Sequence, residues 1–137
     1  MIWQKAYIME RERFDGADIA HLLRSCASVM DWQHLVNRFA EDWRVLLSHL
    51  VLFGFVYPAE RHSIPAPVLR SLLHRASTEE AETHNGAPVC QGTLLSRAQY
   101  LVDVERWGYS DARMKGRGSM NQQQVTEWTN AIDREAH

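Results

Sequence analysis

The chain has 137 residues, 45% of them hydrophobic and 23% charged, with a formal net charge of −2 and a pI near 6.4. That length predicts one domain able to bury a real core, and the composition is that of an ordinary globular protein. The charge balance argues against bulk electrostatic binding to nucleic acid, and two distant cysteines do not make a secreted disulfide framework.

The N-terminus is amphipathic and charged, unlike a signal peptide, and the apolar run Val45–Tyr57 is too short to span a bilayer. The chain therefore reads as cytoplasmic, with no membrane partner. The first helix is expected to carry Trp3, Ala6 and Tyr7 on one side. Because it starts almost at once, an upstream part is expected to be missing. A polar corner follows, with Asp15 as N-cap and Asp18 three residues on as a capping-box acid. Ile19, Leu22, Leu23, Cys26 and Met30 then recur at helical spacing.

Asp31 caps a short third helix ending near Phe39, and Asp42 is placed to cap a fourth. From Val45 to Val56 the fourth helix leaves little polar face, which predicts burial nearly all round. Pro58 stops it, since proline supplies no amide. A polar loop, Ala59–Ser63, leads through Pro65 and Pro67 into a fifth helix, Val68 to about Arg75, with Val68, Leu69, Leu72 and Leu73 inward.

Ser77–Pro88 is acidic, poor in large apolar residues and closed by Asn-Gly and Pro signals, as a flexible linker or surface loop would be. Ser96 then suits the N-cap of a helix over Arg97–Trp107, with Gly108 as its terminating glycine. Tyr109–Gly118 reads as a loop. Ser119 or Asn121 would start a last helix burying Val125, Trp128 and Ile132. Strand signals are nearly absent. The expectation is a mostly α fold: a helical body of about five helices over 1–76, a linker over 77–89, and a two-helix appendage over 90–137.

Chemistry-bearing motifs are sparse. The seven histidines show no metal-ligand spacing, and His21, His34 and His49 read as packed or surface side chains. No nucleophile elbow or P-loop occurs, and Lys115-Gly-Arg-Gly reads as a solvated loop. The candidate site set is Lys5, Arg11, Arg13, Asp15 and Asp18. The ordinary reading makes the aspartates caps and the rest a solvated face. The same residue types also suit phosphate and metal handling, with cations on triphosphate oxygens and a carboxylate orienting the attacking group.

Trp3-x-Lys5-Ala-x-x-Met9-x-Arg11-x-Arg13-x-Asp15-x-x-Asp18-Ile-x-x-Leu22 resembles the segment after the catalytic head in bacterial nucleotidyltransferase-fold proteins. These include small uncharacterised members and, more distantly, the abortive-infection toxin type. Stretches 43–58, 90–97 and 102–113 carry the same resemblance. It implies that Lys5, Arg11 and Arg13 serve nucleotide binding, with Lys5, Asp15 and Asp18 in support of catalysis. In the family, an Asp-x-Asp or Asp-x-Glu pair on a strand holds the divalent metal. No Asp-x-Asp occurs here, so the chain alone is expected to be inactive and to use Mg²⁺ only when a head is supplied. The alternative is a non-catalytic helical protein-interaction module derived from that family, with Ile2, Trp3 and Tyr7 exposed as its docking surface.

Overall fold

The computed structural model describes residues 1–7, 16–80 and 86–114. They are mostly helical, and the chain divides into two units, Met1–His84 and Asn85–His137.

The first unit is a bundle of five helices: α1 (Ile2–Tyr7), α2 (Gly16–Cys26), α3 (Trp32–Phe39), α4 (Trp43–Val56) and α5 (Ala66–Glu79). α4 lies at its centre, packed against α2, α3 and α5, while α1 rests on α2 and α3. Trp43, Leu46, Leu50 and Phe53 form the buried stripe of α4 and meet Ile19, Leu23, Phe39, Ile64 and Leu72 in one apolar cluster. That spacing of three, four and three is one face of a helix.

α4 is not buried all round, contrary to its sequence pattern. Phe55 is 79% exposed, Val51 57% and Val56 45%. A unit this small has too much surface for its volume to surround a helix on every side. Leu73, expected inward on α5, is likewise exposed, whereas Leu72 takes the core position.

The helix ends follow backbone hydrogen-bond supply. Asp31 caps α3 as expected, its Oδ1 accepting from the His34 amide at 2.9 Å. Asp42 makes no side-chain cap for α4; a 3₁₀ turn, Ala40–Asp42, feeds that helix directly. Pro58 ends α4 and leaves the Gly54 carbonyl without the amide four residues on. Arg61 Nε donates to that carbonyl at 2.8 Å, so the expected loop is instead an ordered 3₁₀ segment, Pro58–Ser63.

α5 runs through Glu79, so the start of the expected linker is helical. Glu79 accepts from Arg75 Nε at 2.8 Å and from Arg44 Nη1 at 2.9 Å. Both guanidinium carbons lie over the Trp43 ring, at 5.0 and 4.4 Å from its centroid. A carboxylate tied to two cations on one indole extends the helix past the point where composition turns acidic.

α1 buries Ile2 and Ala6, one helical turn apart, rather than Trp3 and Ala6. Ile2 is thus largely covered rather than exposed as expected. Trp3 is half-buried beside it.

In the second unit the described part is not a plain helical appendage. β1 (Val89–Cys90) pairs in parallel with β2 (Ser110–Asp111), Val89 opposite Ser110 and Cys90 opposite Asp111. Between them lies α6 (Leu101–Glu105), much shorter than the expected 97–107. Ser96 does not cap it: its Oγ is buried and has no hydrogen-bond partner among the described residues. Gly108 does close the segment, with φ +75°. The Arg106 and Trp107 amides return to the Val102 carbonyl before it, at 2.9 and 3.3 Å.

Asp111 organises this unit. Its carboxylate accepts from Thr93 Oγ1 at 2.7 Å, from the Arg113 amide at 2.9 Å, and from the Arg113 guanidinium. The expected last helix and the Lys115–Gly118 loop lie outside the described residues. No described helix is long and apolar enough to cross a membrane.

Candidate functional site

Two places warrant chemical description, and the first is the α1–α2 corner. Lys5 sits in the last turn of α1 and Asp18 in the first turn of α2. Lys5 Nζ donates to Asp18 Oδ2 at 2.9 Å, with both side chains about two-fifths exposed (42% and 41%). An acid in the first helical turn also favours the positive end of the α2 dipole. Two of the five sequence candidates are therefore brought together. Arg11, Arg13 and Asp15 lie outside the described residues.

The second place was not singled out from the sequence. Where α1, α2 and α3 meet, they leave a cleft of about 510 Å³. α1 contributes Ile2 and Trp3, α2 contributes Leu22 and Cys26, and Met30 and Leu35 complete the apolar lining. Asp31, the N-cap of α3, with His34 and Arg38 on that helix, all exposed and about one turn apart, form the polar side. Neither Lys5 nor Asp18 lines this cleft. The spacing of residues 31, 34, 35 and 38 was a visible helical stripe, but nothing in it showed that it would face a cleft shared with α1 and α2.

The electrostatics of the rim are uneven. Asp31 Oδ1 is occupied by the α3 cap. The Arg38 guanidinium lies over the Trp3 ring, 5.0 Å from its centroid. Among the described residues it has no carboxylate partner, whereas Arg24, Arg44, Arg75 and Arg113 each have one.

Elsewhere, burial pushes the His49 imidazole below its ordinary pKa. Both cysteines are free thiols, Cys90 buried and Cys26 only half-buried at the cleft. Among the described residues no three His, Cys, Asp or Glu side chains group to hold a metal ion. Comparison of the chain with protein-family models, curated proteins and solved structures finds no match.

Proposed function

We propose that the chain is a non-catalytic helical binding module whose binding site is the cleft between α1, α2 and α3. The observation that carries this reading is the cleft itself: about 510 Å³, lined mostly by apolar side chains, with Asp31, His34 and Arg38 along one side. Ligand sites fall in a window of roughly 300–1,000 Å³ and pair an apolar surface with a few placed polar groups. Met1 and Met30 in the lining add adaptable contact.

The test uses Cys26 as a reporter, since it lines the cleft while Cys90 is buried. A neutral solvatochromic dye should bind once per chain, slow alkylation of Cys26, and be excluded by Cys26→Trp. A dye that leaves the alkylation rate unchanged would reject the cleft as a binding site.

A second reading is supported by the Lys5–Asp18 pair at 2.9 Å. It makes the chain the helical portion of a nucleotidyltransferase-like protein, with Lys5, Arg11 and Arg13 toward nucleotide and Asp15 and Asp18 in support. Mg²⁺ with ATP, GTP, CTP or UTP should then raise the melting temperature saturably, and Lys5→Ala should abolish the rise. A flat response to all four nucleotides would leave the binding-module reading alone.

A further inference from the structure

We propose that the cleft takes an amphiphilic monocarboxylate, its apolar chain on the floor and its carboxylate on the Arg38 guanidinium. The inference rests on the cleft being a binding site and adds what the ligand must look like. Three observations carry it.

The first is charge. Arg38 is a cation at the cleft, and no carboxylate partner is found for it among the described residues. A planar guanidinium accepts a carboxylate through two parallel N–H···O bonds, a match that a neutral head group cannot reproduce.

The second is preorganisation. The guanidinium is seated over Trp3, 5.0 Å from the ring centroid, so less side-chain freedom remains to be lost on binding.

The third is polarity along the rim. Asp31 and Arg38 line the same cleft, separated by roughly 10 Å of helix rise. The Asp31 carboxylate repels an anionic head at one end, and Arg38 attracts it at the other. His34, between them, adds an imidazole to the same rim. Ile2, Leu22, Met30 and Leu35, with the face of Trp3, offer an acyl or aromatic body apolar contact.

Decanoate and decanol, equal in chain length and different in head group, are titrated into the full chain by calorimetry. The same is done with Arg38→Gln, Arg38→Lys and Cys26→Trp. Decanoate is expected to bind once per chain, at least about tenfold more tightly than decanol. Arg38→Gln should remove the preference and bring decanoate down to the affinity of decanol for the same variant. Arg38→Lys should restore part of the difference, since charge survives without the planar fork. Equal binding of both ligands, unaffected by Arg38→Gln, would overturn the head-group assignment and leave the cleft reading standing. Decanoate binding that survives Cys26→Trp would place the ligand elsewhere and overturn the proposal. Failure of both ligands on the wild-type chain would overturn the proposal and the cleft reading together.

Discussion

Lys5 Nζ and Asp18 Oδ2 meet at 2.9 Å across thirteen positions of sequence, tying the end of α1 to the start of α2. With each side chain about two-fifths exposed, water screens the pair strongly. A Lys5→Ala/Asp18→Ala double-mutant cycle should give a coupling of about 0.2–1 kcal/mol. That coupling should shrink at about 1 M salt. A salt-insensitive coupling above about 2 kcal/mol would mean the pair is desolvated, as in a closed site.

Two positions five residues apart on α4 separate core from surface. Leu50 is 2% exposed and Phe55 79%. Leu50→Ala should cost about 2–5 kcal/mol in urea denaturation, from lost transfer energy and the cavity left behind. Phe55→Ser should fall within about 0.5 kcal/mol of wild type. Equal costs would show that the stripe Trp43, Leu46, Leu50 and Phe53 is not the core.

Burial lowers the His49 pKa from its ordinary 6.5. The unfolded chain therefore binds this proton more readily than the folded one, so stability rises with pH in that window. The contribution is complete above pH 6.5 and is lost as pH falls through the lower folded value. Relative to His49→Gln, the wild-type chain should lose stability between about pH 7 and pH 5. Parallel stability curves for the two proteins would contradict the burial of the imidazole.

Asp111 behaves in the same sense by a different balance. Burial alone would raise its pKa, but the side-chain and backbone donors of Arg113 and the Thr93 hydroxyl outweigh it and hold the carboxyl below 3.8. Its stabilisation is full above about pH 3.9, the unfolded carboxyl value, and disappears as pH falls through the folded value. Asp111→Asn should lose about 1–3 kcal/mol at neutral pH and flatten the acid limb of the stability curve. An unchanged acid limb would show that other carboxyl groups dominate it.

Ser96 and Thr93 should respond oppositely. The buried Ser96 Oγ has no partner among the described residues, while Thr93 Oγ1 donates to Asp111 Oδ1 at 2.7 Å. Ser96→Ala is expected to be neutral or to stabilise by up to about 1 kcal/mol. Thr93→Val should cost about 1–3 kcal/mol by leaving a carboxylate oxygen short of a donor. Thermal melts of the two variants, read against Asp111→Asn, would show whether Thr93 acts through that carboxylate.

Much of the helical body was legible because its signals are local. Asp31 marks a helix start through a bond to an amide three residues on, and Pro58 marks a stop through an amide it lacks. The stripe Ile19, Leu22 and Leu23 places α2 against a core by spacing alone. The second unit was less legible because its organiser is non-local. Asp111 reaches Thr93 over eighteen positions, and a two-residue parallel pair leaves no period to detect. Ser96 looked like a cap because it is a serine before an apolar run, yet the chain there folds into turns and buries it.

By itself, the sequence determined that the chain is mostly α-helical and roughly where the helices of the body lie, because helical periodicity, the Asp31 cap and the Pro58 stop act within a few residues. Only the tertiary structure decided which face of α4 is covered, since its apolar residues outnumber the positions its neighbours can shield. It also decided that α5 continues to Glu79, where a carboxylate meets arginines from two helices on one indole. The cleft is the clearest case. Its lining comes from three helices and their ends, brought together by packing that is written in no local motif.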